Sequence, residues 1–145
     1  MQYIIFKANK EEYGLDLLQI REICHYQKIT KLPMSKESIL GIIDYRGEVI
    51  PIIDIKSKLG FNPDNESITN SITNSINDYI TEDTRIITIM KDNKHIGLLV
   101  DSVSSIVDIV DFENLDGKII TVNFIEKIGK INNRIISIID IDKLV

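Results

Sequence analysis

A six-residue phrase occurs twice in this chain, and this repeat constrains the fold more than any other feature of the sequence. IPIIDI spans residues 50–55 and ISIIDI spans residues 136–141, and each is followed closely by Lys-Leu. Isoleucine favours strands, and aspartate favours the position just before a helix. A turn signal precedes each copy, Arg46-Gly47 in the first and Asn132-Asn133 in the second. The repeat therefore predicts two small β units of similar design, each ending in a short helical turn.

The other apolar segments are short, rich in isoleucine and valine, and end at turn signals. RIITIM at residues 85–90, for example, is followed by KDNK and then by HIGLLV at residues 95–100. This spacing is typical of hairpins in a small barrel or sandwich. Proline removes a ladder donor, so we expect the strand that contains Pro51 to be an edge strand or bulged. Only brief helices are predicted, and their capping residues are Asp16, Ser35, Asp54 and Asp140.

Residues 62–84 differ in composition from the rest of the chain, because Ser-Ile-Thr-Asn recurs there almost in tandem. Asn, Ser and Asp favour loops, so the segment is predicted to be a long linker between two subdomains. A frayed amphipathic helix is the alternative, since Ile68, Ile72 and Ile76 are spaced four residues apart. The predicted organisation is one domain over residues 1–145, with a first subdomain around residues 14–61 and a second around residues 85–140. The N-terminal strand and the C-terminal helix are expected to be able to pack across this division.

Composition and charge argue against several classes of protein. The net charge of −5 and the scattered lysines argue against a nucleic-acid surface or an anionic membrane surface. No apolar run approaches the ~20 residues that a membrane helix needs, and the N-terminus lacks the features of a signal peptide. Cys24 is the only cysteine, which fits a reducing compartment. We therefore expect a cytoplasmic protein without direct membrane insertion and without a nucleic-acid partner.

No catalytic constellation is visible in the sequence. Cys24 lies beside His25, but adjacent strand residues face opposite ways, so a buried and inert Cys24 is expected. A small acid-carboxylate or metal enzyme is an alternative that would bring Asp54, Asp140 and Asp142 into one pocket. Helix capping explains these aspartates more simply. We expect no catalytic residue, no metal and no cofactor.

Residues 41–54, GIIDYRGEVIPIID, resemble the signature of the CheW family of bacterial chemotaxis coupling proteins. The family pattern is a glycine, an apolar pair, Asn-Leu-Arg-Gly, and then a Val- or Ile-rich strand that carries Pro and Asp. Two residues depart from it, since Asp44 and Tyr45 stand where the family has Asn and Leu. The resemblance covers nearly the whole chain in order, with further agreement at residues 11–23, 96–107 and 129–145.

The resemblance implies a mainly β fold of two five-stranded, SH3-like β-barrel subdomains around a shared core, with a few short helices. It also implies a non-enzymatic adaptor that couples the cytoplasmic tips of chemoreceptors to the histidine kinase CheA, through the kinase's regulatory domain. Such an adaptor is cytoplasmic and is recruited to membrane-associated receptor arrays. A CheW-like module of a CheV-type protein, or of the kinase itself, is the near alternative. The start at Met1 and the end just after the last predicted helix favour a free-standing protein.

The resemblance assigns receptor-binding residues. Arg46 occupies the position of the family's receptor-contact arginine, and Glu22 occupies that of a glutamate that interacts with this arginine. Ile20, Val103 and Ile106 match apolar positions of the receptor-binding groove. Without the resemblance, Arg46 is interpreted as a solvated turn residue and the three apolar residues as plain core.

Kinase-binding residues are assigned less directly. We expect the kinase to contact the loop at Gly47 and the strand at residues 86–90. Ile86 and Ile89 are the residues of that strand that we assign to the contact.

Overall fold

The computed structural model describes residues 1–33, 39–59, 80–115 and 123–144. Short strands account for most of this part of the chain, joined by a 3₁₀ turn and two one-turn helices. The elements are β1 (Gln2–Ala8), β2 (Glu11–Asp16), the 3₁₀ turn (Leu17–Gln19), β3 (Ile20–His25), β4 (Ile39–Tyr45), β5 (Glu48–Asp54), α1 (Ile55–Lys58), β6 (Arg85–Lys91), β7 (Lys94–Val100), β8 (Ser102–Asp108), β9 (Asp111–Asn114), β10 (Ile125–Ile131), β11 (Arg134–Ile139) and α2 (Ile141–Leu144).

The strands form two sheets. One has six strands in the order β8-β1-β2-β11-β10-β9, and the other has five in the order β3-β6-β7-β5-β4. The predicted mainly β class is confirmed, although one sheet has six strands where the resemblance implies five. Sheet membership does not follow chain order, because the β1–β2 hairpin pairs with later strands and the β6–β7 hairpin pairs with earlier ones. The division into sequential subdomains stays a prediction.

The two copies of the repeated phrase occupy equivalent places in the two sheets. β5 and β11 each make a parallel pair with the second strand of a hairpin from elsewhere in the chain. The register is the same in both, since Ile52 lies beside Gly97 and Ile138 lies beside Gly14. The prediction of two units of similar design is therefore confirmed at the level of strand pairing.

The aspartate of each copy turns the chain from strand to helix. The Asp54 carboxylate accepts hydrogen bonds from Lys56 N at 3.1 Å and from the Ser57 hydroxyl at 3.2 Å. Asp140 accepts from the Asp142 backbone N–H at 3.0 Å. These contacts satisfy helix N–H groups that otherwise have no partner in the helix. The capping predictions at these two aspartates are confirmed.

Four two-residue turns close the hairpins, and both residues of each turn have positive φ. This pattern is the signature of the type I′ turn, whose twist matches that of the flanking strands. Asn, Asp and Gly tolerate the conformation well, whereas Lys10 and Arg46 are unusual there. The turns are Asn9-Lys10 (52° and 72°), Arg46-Gly47 (55° and 82°), Asp92-Asn93 (52° and 63°) and Asn132-Asn133 (48° and 65°).

Both faces of each sheet carry buried residues. A central cluster between the sheets, which we call the shared core, takes side chains from both, for example Phe6 and Leu15 from one and Ile87 and Leu98 from the other. A second cluster around Ile138 covers the opposite face of the six-stranded sheet. A third, which contains Cys24, Ile43, Ile50, Ile52 and Ile86, lies on the opposite face of the five-stranded sheet. Burial on both faces explains the uninterrupted apolar runs of several strands.

Some expectations from the sequence meet a different outcome. β5 lies between β7 and β4, so the expectation of an edge strand at Pro51 is wrong. The parallel ladder with β7 begins only at Ile52, and the nearby irregularity is in β4, between Ile39 and Gly41. The cap predicted at Asp16 is confirmed, as its carboxylate accepts from Leu18 N at 3.0 Å.

The other predictions for the middle of the chain fall outside the described residues. Ser35 lies there, as do the alternative helix over Ile68, Ile72 and Ile76 and most of the predicted linker. Residues 80–84 lead directly into β6.

The two glycines beside the parallel pairs give a test of this packing. A Cβ at Gly97 would lie 2.6 Å from Ile52 and 2.9 Å from Ile86, whereas one at Gly14 would lie 3.0 Å from Ile138. We expect Gly97→Ala to lower the free energy of unfolding by about 1–3 kcal/mol, and Gly14→Ala to cost less than about 1 kcal/mol. Urea unfolding of both variants measures the difference. Equal losses at the two sites would contradict the contacts described here.

Candidate functional site

Arg46 stands at the tip of the β4–β5 turn with its side chain 72% exposed. Its Nη1 donates to Glu22 Oε1 at 3.1 Å, and its guanidinium carbon lies 4.8 Å from the centroid of the Tyr45 ring. β3, which carries Glu22, and β4 are the two outer strands of the five-stranded sheet. The contact therefore joins the two edges of this sheet, which is rolled towards a barrel. The contact that the resemblance implies between Glu22 and Arg46 is present.

The segment that follows β3 also contacts β4. Thr30 and Ile42 exchange backbone hydrogen bonds of 2.9 Å in both directions. This isolated bridge and the Arg46–Glu22 contact both bring the β3 end of the sheet next to β4.

The backbone conformation at position 46 does not favour an arginine over other residues. Its φ of 55° lies in the left-handed region, which costs a residue with a β-carbon about 1 kcal/mol. The exposed ion pair with Glu22 contributes about 0–1 kcal/mol, and the contact with Tyr45 adds to it. These contributions roughly offset each other. Asn132, at the equivalent turn of the second copy, fulfils the same structural role without an ion pair. These contributions to stability therefore do not account for the choice of arginine over asparagine at this turn.

Glu22 is held by its backbone as well as by its side chain. Its carbonyl oxygen accepts from the Thr88 hydroxyl at 3.2 Å, and Thr88 is only 2% exposed. A hydrogen bond to the Glu22 carboxylate raises the pKa of Tyr45. Glu22 therefore lies next to both Arg46 and Tyr45.

Cys24 lies next to this group and is 9% exposed. Burial raises the pKa of its thiol, and the Glu22 carboxylate raises it further. A thiol with a raised pKa is a poor nucleophile. The expectation of a buried, inert Cys24 agrees with this environment.

A second acidic residue stands on the other side of the turn. Glu48 lies directly opposite Tyr45 in the β4–β5 ladder, and its carboxylate lies 2.5 Å from Nδ1 of His95 on β7. His95 is in turn directly opposite Met90 on β6. Sequence reasoning missed Glu48 and His95, because their contact joins residues 47 positions apart. The only available signal was the position of Glu48 immediately after the Arg46-Gly47 turn.

The three predicted groove residues lie on β3 and β8, and each of these strands is at the edge of its own sheet. Ile20 begins β3 and Val103 lies on β8, and both are partly buried against the shared core. Val103 and Ile106 lie opposite Phe6 and Ile4 of that core, so their side chains are on the same face. Ile106 is 53% exposed. These residues mark places where the shared core reaches the surface.

The predicted kinase-binding residues are placed differently from one another. A Cβ at Gly47 would meet no atom within 4 Å, so this turn is open to a partner. Ile86 and Ile89 are 0% exposed, and their side chains do not reach the surface of the chain. Met90, 40% exposed, is the apolar side chain that β6 presents next to them.

The alternative acid-carboxylate site receives no geometric support. Asp54 caps α1 and Asp140 caps α2, so two of the three carboxylates begin separate helices in separate units. Burial raises the pKa of Asp54, although its hydrogen bonds as a cap act in the opposite direction. Within the described ranges, no group of three or more His, Cys, Asp or Glu residues is placed to hold a metal ion. In the same part of the chain, no helix has the length and apolar character needed to cross a membrane.

An exposed arginine at a turn tip, with apolar residues on the outer strands, is an arrangement typical of a protein-binding surface. The family model described as CheW-like domain matches residues 2–145. This chain therefore belongs to the CheW-like family.

Individual relatives agree with the family model over most of their length. The chemotaxis protein CheW of Bacillus subtilis is 32% identical over 142 residues, which cover 94% of this chain and 81% of that protein. CheW of Klebsiella aerogenes is 24% identical over 147 residues, covering 99% of this chain and 80% of that protein. The crystal structure of the scaffolding protein TtCheW from Thermoanaerobacter tengcongensis is similar with a TM-score of 0.77 and 30% identity. That match covers 95% of this chain and 87% of the solved chain.

The family supplies the broad function. Its members are chemotaxis scaffolding proteins rather than enzymes, so this chain is a scaffold or adaptor in chemotaxis. The expectations of a CheW-like protein and of a non-enzymatic function are confirmed.

Two substitutions at Arg46 separate its structural contribution from its other roles. Arg46→Asn reduces the strain of the left-handed backbone conformation but also removes the side-chain contacts. We therefore expect the free energy of unfolding to change by no more than about 0.5 kcal/mol. Arg46→Ala keeps the strain and loses the contacts, so we expect a loss of about 1 kcal/mol. Urea unfolding measures both. A loss of about 2–5 kcal/mol in either variant, as for a core truncation, would mean that Arg46 is a structural residue.

Proposed function

We propose that this protein couples the cytoplasmic tips of chemoreceptors to the histidine kinase CheA. The observation that carries the proposal is the exposed guanidinium of Arg46, kept on a strained turn and oriented by Glu22 and Tyr45. Strained backbone concentrates at functional sites, where binding compensates for its cost. In this proposal the protein works in the cytoplasm and is recruited to membrane-associated receptor arrays.

The chemistry of Arg46 suits a partner with exposed acceptors. A guanidinium has five N–H donors in a fixed fork, and the described contact to Glu22 uses the Nη1 nitrogen. The remaining donors can bind a carboxylate or a backbone carbonyl of the receptor. Arg46 is proposed to make this polar receptor contact, with Glu22 setting its direction.

Apolar residues supply the second part of the proposed receptor contact. Receptor tips are long helical hairpins, and the apolar face of such a helix binds in an apolar groove. Ile20 and Val103 at the border of the shared core, with the more exposed Ile106, fit this role. Helix binding would bury surface that is now exposed at Ile106. The partly buried Ile20 and Val103 would form the floor of the groove.

The kinase is proposed to contact the opposite side of the same turn. Gly47 leaves open space there, and the neighbouring Val49 is 60% exposed. Because Ile86 and Ile89 are buried, a contact with β6 would depend on Met90. Arg46 and Gly47 would then place receptor and kinase on adjoining surfaces, which is what coupling requires.

The proposal is tested by CheA autophosphorylation with receptor tip fragments, with and without this protein. We expect kinase activation that depends on the protein and falls at least tenfold with Arg46→Asn, a change that corresponds to one buried charged hydrogen bond. Arg134→Asn is the matched control, since this arginine of the equivalent hairpin pairs with Glu12 and is not assigned to receptor binding. Loss of activation in both variants, or in neither, would contradict the role of Arg46.

Separate binding measurements assign the two surfaces. Ile106→Ser should weaken binding of the receptor fragment, and Gly47→Asn, which tolerates positive φ, should weaken binding of the CheA regulatory domain by filling open space. Ile135→Ser is the control for the apolar change, because Ile135 is 66% exposed on β11. Isothermal titration calorimetry with each partner gives the affinities. Binding to the kinase without activation would favour a competing CheV-type module, and binding to neither partner would remove the proposal.

A further inference from the structure

Two carboxylates flank Arg46, but only one of them contacts it. Glu22 accepts from the guanidinium at 3.1 Å. Glu48 is two residues from Arg46 in the chain and directly opposite Tyr45, so its side chain shares a face with the ring under the guanidinium. A carboxylate in this place is a natural competitor for the arginine. Its contact is instead with Nδ1 of His95, at 2.5 Å.

The position of His95 is well fixed. Its side chain is 11% exposed, whereas that of Glu48 is 54% exposed. Among the described residues, Nε2 of His95 is buried without a hydrogen-bond partner, so Glu48 is the polar anchor of the ring. The buried ring on β7 therefore determines where the exposed carboxylate of Glu48 lies.

The second β unit has a corresponding link in which the acid and the base exchange places. Arg134 follows the Asn132-Asn133 turn as Glu48 follows Arg46-Gly47, and it donates to the Glu12 carboxylate. Glu12 lies two residues before Gly14, and His95 lies two residues before Gly97, the glycines that mark the equivalent parallel pairs. The residue after the turn is thus tied to the same neighbouring strand in both units. Only the first unit has an arginine at the turn, Arg46, to which Glu48 could bind if it did not contact His95.

We propose that His95 is a positioning residue for the receptor contact: it holds Glu48 away from Arg46. The guanidinium then keeps its link to Glu22 and leaves its other donors to the receptor. The inference rests on the proposed function for its consequence in binding, but the arrangement of the three side chains can be measured without a partner.

Three variants isolate the effect. His95→Leu keeps apolar volume but removes the donor, so Glu48 is released and we expect receptor-fragment affinity to fall about fivefold, the upper range for an exposed ion pair. Adding Glu48→Gln to His95→Leu removes the competing charge and should restore the affinity. His95→Gln keeps a donor towards Glu48 and should bind like the wild type. A merely structural role for His95 would not be rescued by a change at Glu48.

The Arg46 Nε–Hε resonance in ¹H–¹⁵N spectra of the free protein reports the contact directly. We expect it to shift in His95→Leu and to return in the double variant. An unshifted resonance in His95→Leu, or a weakened affinity that persists in the double variant, would overturn the inference. A wild-type protein that fails to bind the receptor fragment would remove the proposed function, while the spectra would still decide whether His95 controls Arg46.

Discussion

The shared core between the two sheets is the contact on which the rest of the structure depends. Neither sheet could stand alone with this sequence, since each turns a face of fully buried residues such as Phe6 or Ile87 towards the other. At about 25 cal/mol per Å² of apolar area, separating these faces would cost far more than the whole stability of a domain this size. The helices α1 and α2 add to the same cluster through Ile55 and Ile141. The geometry of the surface follows, because the shared core reaches solvent at the outer strands that carry the proposed groove.

The two β units share one scaffold, and the candidate site lies where they differ. The two units share their parallel pairs, their type I′ turns and their capping aspartates. They differ at the turn, where one has Arg46 and the other Asn132. The positive φ at this turn favours asparagine, so the arginine is present despite a conformational cost. The same comparison brings out the two polar links that follow the turns, Glu48–His95 and Arg134–Glu12.

Much of the fold could be predicted from local sequence. Turn residues with a tolerance for positive φ, short β-branched runs and an aspartate before each helix determine the hairpins and caps. The strand order could not be predicted, because the exchange of hairpins between sheets depends on contacts between distant segments. The error at Pro51 has the same origin, since the parallel ladder that begins at Ile52 is a non-local feature. In the site, the resemblance supplied Arg46 and Glu22, but it could not supply the Glu48–His95 contact, whose partners are far apart in the chain.

The exchange of hairpins also has a consequence for the order in which the protein can fold. Among the described residues, the five-stranded sheet takes its strands from the chain up to Val100, so it can complete its strand pairing before β11 has been synthesised, although its stable packing still needs the other sheet. The six-stranded sheet cannot, because β2 near the N-terminus waits for β11, which ends at Ile139. Until then the edge of β2 and one face of the nascent sheet stay unpaired. Such long-range closure slows folding and exposes strand edges to other chains. The synthesis of β11 therefore determines when the β1–β2 hairpin stops being vulnerable to aggregation.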